Sequence, residues 1–312
     1  MWKKFSFVSV IFILMMIALT ACGNSESSTN DDSANNGANS LGEEQVELAT
    51  DTYLSNIGAT NVVKLILEEA GYSVTITQTD VGIEFSGLAD GSSDASVGLW
   101  LPTTHKSYWE KYKDSLEKIS MVTEKVELGL TVPSYMEEID SIEDLANNKN
   151  NIGEKLDWTI TGISPGAGEM KLTKGEVMPA YGLDENWELQ SSSGPTMAAA
   201  LTRAIDKKEP IVVTLWTPHW TFNKFDLKIL KDPKNKYGDP DNVYSASRKG
   251  FKEDSPLAYK IIKAFSLTKK QNQDIMLNIQ SGMSNEEAAK KFLENNPEFK
   301  ENVLNKAKSS NK

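Results

Sequence analysis

Cysteine and histidine are almost absent from this chain. Its 312 residues include one cysteine, Cys22, and two histidines, His105 and His219. A lone cysteine excludes a disulfide within the chain. With so few thiol and imidazole donors and no His/Cys/Asp ligand spacing, no metal site is expected. No HExxH pair occurs, which removes one common hydrolase signature. Carboxylates are plentiful, so a paired-carboxylate hydrolase stays open. Positive charge is also in deficit: 33 Lys and Arg stand against 44 Asp and Glu, a net charge of −11. That balance argues against nucleic acid and against adhesion to anionic lipid, but it does not bear on a zwitterion, which has no net charge to steer. Long apolar runs are missing too. The longest, FSFVSVIFILMMIAL from Phe5 to Leu19, has 15 residues, whereas a membrane span needs about 20.

That run follows two lysines, Lys3 and Lys4, and precedes the small-residue stretch LTAC, Leu19 to Cys22. A basic start, an apolar middle and a small-residue end form a secretory signal. The LTAC tetrapeptide is similar to the lipobox of bacterial lipoproteins, which implies a signal peptide over residues 1–21 and a lipidated Cys22. Residues 22–44 are rich in Ser, Asn, Gly and Asp with Leu41 as their one large apolar side chain. Such a segment buries too little to offset its ordering entropy and reads as a tether.

From residue 45 onward, strand and helix periods alternate. QVELAT (Gln45 to Thr50), YSVTITQTD (Tyr72 to Asp80), DASVGLW (Asp94 to Trp100), KVELGLTVPSYM (Lys125 to Met136), WTITGI (Trp158 to Ile163) and PIVVTLW (Pro210 to Trp216) read as strands. A helix with Ser55 as a candidate cap carries Val63, Ile66, Leu67 and Ala70 at helical spacing and stops at Gly71. Ser141 with Asp144, and Ser284 with Glu287, read as capping boxes, and Ser255-Pro256 opens another helix. The alternation implies an α/β fold with a mostly parallel sheet. The settings LWLP and LWTP, at Trp100 and Trp216, end two similar series, a weak internal echo that points to two α/β lobes. VPSYM (Val132 to Met136) and VYSASRKGF (Val243 to Phe251) read as the crossovers between them. Small ligands bind in clefts at the carboxyl ends of such strands.

Three aromatic residues fall at those strand ends: Tyr53, Trp100 and Trp216. Their ring faces attract cations by roughly 0.5 to 2 kcal/mol each, and several faces around one point suit a quaternary ammonium, which lacks N–H donors. A buried Trp is equally at home in a core, and both readings stand. SPGAGEM (Ser164 to Met170) offers backbone N–H groups at a helix start. It lacks the Lys-Ser/Thr of a P-loop, and a plain glycine-rich turn is the alternative. His105 follows Trp100 by five residues, so both can face one cleft, and an imidazole N–H can donate to a carboxylate. A structural role is the competing reading for each histidine.

The segments DASVGLWLPTTHKSYWEKY, ITGISPGAGEM, PIVVTLWTPHWTFNKFDLKILKDPK and YSASRKGF resemble the solute-binding lipoproteins of ABC importers for glycine betaine and related quaternary ammonium compounds. The likeness runs from Gln45 to about Asn302. It implies a two-lobed periplasmic-binding-protein-like (type II) fold with a hinge, divided into residues 45–134 with 248–312 as one lobe and 135–247 as the other. It implies an aromatic cage of Tyr53, Trp100 and Trp216, and carboxylate donors in His105 and the backbone N–H groups of Gly168 and Glu169. The Glu169 side chain is expected to face outward, since an inward carboxylate would repel that of a betaine and suit choline instead. His219 is expected to support the Trp216 loop. The implied partners are a quaternary ammonium ligand, a permease with its ATPase subunits, and a membrane reached through a lipid anchor on the extracytoplasmic face. No enzyme activity or cofactor is implied. The rivals are a choline- or carnitine-selective binder of the same fold, and an envelope hydrolase or structural lipoprotein.

Overall fold

A computed structural model describes residues 41–309. The expected signal peptide, Cys22 and most of the expected tether lie outside the described residues. Nine strands form a curled sheet: β1 (Gln45–Thr50), β2 (Ser73–Gln78), β3 (Ala95–Leu101), β4 (Leu116–Pro133), β5 (Thr159–Thr161), β6 (Glu188–Gln190), β7 (Val213–Thr217), β8 (Leu227–Ile229) and β9 (Asp241–Arg248). Their order is β2-β1-β3-β9-β4-β7-β5-β6, with β8 beside β4. The outer parts are parallel, β1 with β2 and β3, and β5 with β6 and β7. The centre is antiparallel, where β9 pairs with β3 and β4, and β4 pairs with β7 and β8. The expectation of a mostly parallel sheet therefore holds only toward the two edges.

Strand β4 explains the two-lobed form. Its first part, Leu116 to Val126, pairs with β9, and its last part, Glu127 to Pro133, pairs with β7 and β8. One continuous strand thus crosses between sheets between Val126 and Glu127, before the VPSYM segment read as the crossover. The return also lies elsewhere than expected. β9 is a full strand of the first sheet, so its residues do not bridge, and the chain crosses back in the turn-rich segment ahead of Asp241. The sheet pairing thus puts residues 241–247 with the first sheet rather than with the second lobe.

Each sheet is covered on the faces its apolar residues demand. The helix Leu54–Glu69 is buried on nearly every side, with Val62, Val63, Ile66 and Leu67 shut from solvent. A helix surrounded by protein needs apolar residues all round, and its buried polar side chains turn back on it: Thr60 Oγ1 donates to Asn56 O at 2.8 Å and Asn61 Nδ2 to Ile57 O at 2.8 Å. Its N-cap is Tyr53, and Ser55, the candidate cap, sits inside the first turn with its hydroxyl buried and unpartnered. The Ser141 and Ser284 capping boxes form as the sequence indicates, and Pro256 opens the helix Pro256–Ala264. Leu130, Val132, Ile142, Leu145, Ile160 and Val212 fill a second core under β4 and β5. Full burial of each such side chain contributes about 1.5 to 3 kcal/mol.

Candidate ligand-binding site

The loop after β1 and the two Trp–X–Pro mouths converge. Trp100 is in β3 and Trp216 in β7, each one residue before its strand ends. The peptides Leu101–Pro102 and Thr217–Pro218 are both cis. Tyr53 stands at the start of the helix Leu54–Glu69 with its ring 5.1 Å from that of Trp216, at 79°. Around these rings lies a cavity of about 30 Å³ whose walls include all six residues singled out from the sequence: Tyr53, Trp100, His105, Gly168, Glu169 and Trp216. One water needs about 10 to 15 Å³ on the same measure, so the cavity holds more than a single water.

The first mouth is tied down by hydrogen bonds. His105 is buried, and its Nδ1 accepts from the Trp100 backbone N–H at 3.1 Å. That leaves the ring hydrogen on Nε2, the atom able to donate to a ligand. Burial, aided by the charge of Lys171, pushes the His105 pKa down to about 3, so the imidazole is neutral across the physiological range. The Trp100 indole N–H lies 3.5 Å from Asn56 Oδ1, and Asn56 Nδ2 donates to Asp51 Oδ2 at 2.5 Å and to Gly98 O at 3.2 Å. Gly98 is required here, since a Cβ would come within 2.7 Å of the Asn56 side chain.

The opposite wall is the glycine-rich turn. Ala167 is the N-cap of the helix Gly168–Leu172, with no side chain capping it. A Cβ on Gly168 would run into the Thr104 carbonyl, so glycine is what allows the helix start to approach the first mouth. Tyr108 Oη donates to Gly166 O at 2.6 Å across the same gap, and Lys171 Nζ lies 3.7 Å from the Tyr108 ring centroid.

Glu169 does not face outward. It is 2% exposed, and neither carboxyl oxygen has a hydrogen-bond partner. The glycine turn that brings its N–H to the cavity also turns its side chain toward the backbone of β4 and β7, at Gly129 and Leu215. Burial raises its pKa well above the carboxylate range, while the N–H groups of Leu215 and Gly129 pull the other way without closing an ordinary hydrogen bond. The group is therefore held toward its neutral form. Burial, then the Asp51 and Glu169 carboxyls, push the Tyr53 phenol up. Among the described residues the sequence reading missed are Asp51, Asn56, Thr104 and Ile163, which also line the cavity. Asp51 directly follows β1, so the strand-end logic that found Tyr53 reaches it as well.

His219 is absent from this cavity wall. Its ring stands 4.8 Å from that of Trp216 at 77°, and its Nδ1 meets Thr221 Oγ1 at 2.8 Å and the Thr221 N–H at 3.3 Å. It packs edge-on against the Trp216 ring. Burial lowers its pKa to about 3.

Two lobes joined by a shared strand, with aromatic walls and helix-start amides meeting in the gap, define a solute-binding protein. The family described as the substrate-binding domain of ABC-type glycine betaine transport systems (OpuAC) matches residues 44–295. The chain belongs to this family. It is 47% identical over 150 residues to the glycine betaine/carnitine transport binding protein GbuC of Listeria monocytogenes, a match covering 48% of this chain and 50% of that one. The chain thus spans about half the length of this curated relative. Lactococcal OpuAC, in its closed-liganded conformation complexed with glycine betaine, superposes with a TM-score of 0.78 at 37% identity, over 84% of this chain and 100% of that chain. The glycine betaine/L-proline-binding protein ProX of Borrelia burgdorferi superposes with a TM-score of 0.79 at 31% identity, over 85% and 98%.

Proposed function

We propose that the protein captures glycine betaine or a related quaternary ammonium compound between its lobes and delivers it to the permease of an ABC importer, whose ATPase subunits drive uptake. It acts as a carrier and catalyses no reaction. One observation carries this reading: two indoles and a phenol share a cavity with an imidazole N–H and the amides of Gly168 and Glu169, and no Lys or Arg lines it. Tyr53, Trp100 and Trp216 enclose the ammonium, by cation–π attraction. His105 Nε2–H and the two amides hold the carboxylate, aided by the dipole at the helix start. The lobes are residues 45–126 with 241–309, and 127–240. Ligand touching both favours their approach over their separation. Cys22 anchors the protein by lipid to the outer face of the cytoplasmic membrane.

A choline- or carnitine-selective binder is the second reading, and the two carboxyls in the cavity wall, Asp51 and Glu169, favour its choline form, since they give a ligand carboxylate nothing to accept from. Calorimetric titration with glycine betaine, proline betaine, carnitine and choline separates the two. The first reading expects the carboxylate-bearing ligands to bind more tightly than choline. Tighter binding of choline selects the second reading, and no heat with any of the four rejects both.

A further inference from the structure

The cavity has two carboxyls in its walls and, among the described residues, no Lys or Arg. Asp51 and Glu169 line it, and Glu84 lies behind Asp51 on the helix Val81–Asp90. Asp51 is 1% exposed. Its carboxyl is fixed by two neutral donors, the Tyr53 N–H to Oδ1 at 2.9 Å and the Asn56 amide to Oδ2 at 2.5 Å. A carboxyl so placed is built to accept hydrogen bonds, yet the cavity offers it no cation. Removing a carboxylate from water costs several kcal/mol unless a positive charge compensates.

We propose that the Asp51 carboxylate is the counter-charge for the ligand's ammonium, and that a proton leaves Asp51 for solvent when the ligand binds near neutral pH. This deepens the quaternary ammonium reading and rests on it. The aromatic rings contribute induced and quadrupolar attraction, whereas Asp51, in the wall of the same cavity, supplies a full charge in a low-dielectric site. A permanent cation cannot share a proton with it, so the ion pair forms only with the ionised carboxyl.

The titratable groups facing Asp51 leave it as the site of the proton change. Tyr53, beside it, has a phenol pushed up and stays neutral. His105, heading the helix Lys106–Tyr112, is held neutral by burial. Glu169, from the helix Gly168–Leu172, is buried and held toward its protonated form. Glu84 is raised by burial and then by Asp51, with Ser96 Oγ donating to it at 2.5 Å and its Oε2 unpartnered. Two such carboxyls resist ionising together. In the free protein burial pushes both toward protonation, and with the cation bound the single charge falls on Asp51, which lines the cavity, while Glu84 keeps its proton. Desolvation likewise raises Asp51 in the free protein, and a bound cation opposes that rise.

The sign follows. Protonated Asp51 is the weak-binding form, so affinity for glycine betaine rises about tenfold per pH unit below the pKa of Asp51 in the free protein and levels off above it. The test is calorimetric titration with glycine betaine in two buffers of different ionisation enthalpy, repeated from about pH 5 to pH 8. The expected result is net proton release below the plateau. Asp51→Asn abolishes release and flattens the pH profile, whereas Glu84→Gln retains both. Wild-type protein that binds glycine betaine without proton exchange anywhere in this range overturns the proposal while leaving the functional reading intact. So does a pH profile that disappears in Glu84→Gln and survives in Asp51→Asn. Absence of any binding overturns both readings.

Discussion

The two mouths LWLPTTH and LWTPHWT are nearly the same sentence written twice, yet they are built differently. Each ends a strand in a Trp, a cis X–Pro bond and a histidine. In the first, the histidine comes five residues after the Trp, and the turn between them folds its Nδ1 back onto the Trp100 amide. That places His105 in the cavity wall and fixes its tautomer. In the second, the histidine comes three residues after the Trp, reaches Thr221 instead, and lies behind the indole. The indoles differ accordingly. The Trp100 N–H has Asn56 at 3.5 Å, whereas the Trp216 N–H is buried with no partner. Two residues of spacing thus separate an imidazole in the cavity wall from one packed against an indole.

The largest effect should come from the rings. Trp100→Ala and Trp216→Ala should each weaken glycine betaine binding by about 1 to 3 kcal/mol or more, through lost cation–π attraction and lost packing. Calorimetry measures this, and unchanged affinity in either variant would remove that ring from the cage. The histidines should then split. His105→Ala should cost about 1.5 to 3 kcal/mol of binding, the range for a hydrogen bond to a charged group, with little change for choline. His219→Ala should lower thermal stability by the buried-ring mechanism, about 1 to 3 kcal/mol, while affinity changes by less than about tenfold. Equal binding losses in both variants would erase the distinction between the mouths.

Acid should act on stability rather than on binding. Both histidines have pKa values lowered to about 3 by burial, below an unfolded value near 6.5. Between those values the unfolded chain binds protons the folded chain refuses. Stability from each histidine is therefore complete above about pH 6.5 and falls by about 1.4 kcal/mol per unit as pH drops below it. The buried carboxyls work in the opposite direction, so the comparison must be made between variants. The destabilisation caused by His219→Ala should shrink as pH falls from about 6.5 to 4, measured by urea midpoints. A constant difference would mean that His219 titrates normally.

Much of this was legible in the chain. β1 falls on QVELAT residue for residue, and the paired Trp–X–Pro settings located the cavity. Local alternation and strand-end logic suffice where a strand is buried and its neighbours are close in sequence. They fail where a strand answers to distant partners. β4 reaches back to Leu116 because β9, more than a hundred residues later, supplies its hydrogen bonds, and the ELQ and LKI strands are too short to show a period. β9 itself read as a crossover because its Ser-rich pattern hides a buried strand. The direction of the Glu169 side chain was misread for a related reason. Charge argues for solvent unless a neighbour forbids it, and the backbone that Glu169 turns toward, at Gly129 and Leu215, comes from two other segments.

The central claim is that the rings hold a permanent positive charge rather than an apolar ball of the same shape. The direct measurement compares glycine betaine with 3,3-dimethylbutanoate, which replaces the nitrogen by carbon and keeps the carboxylate, in one calorimetric series. The account predicts that this analogue, whose head is uncharged, binds at least about thirtyfold more weakly, the factor that about 2 kcal/mol of cation recognition produces. Equal affinity for the two would contradict it.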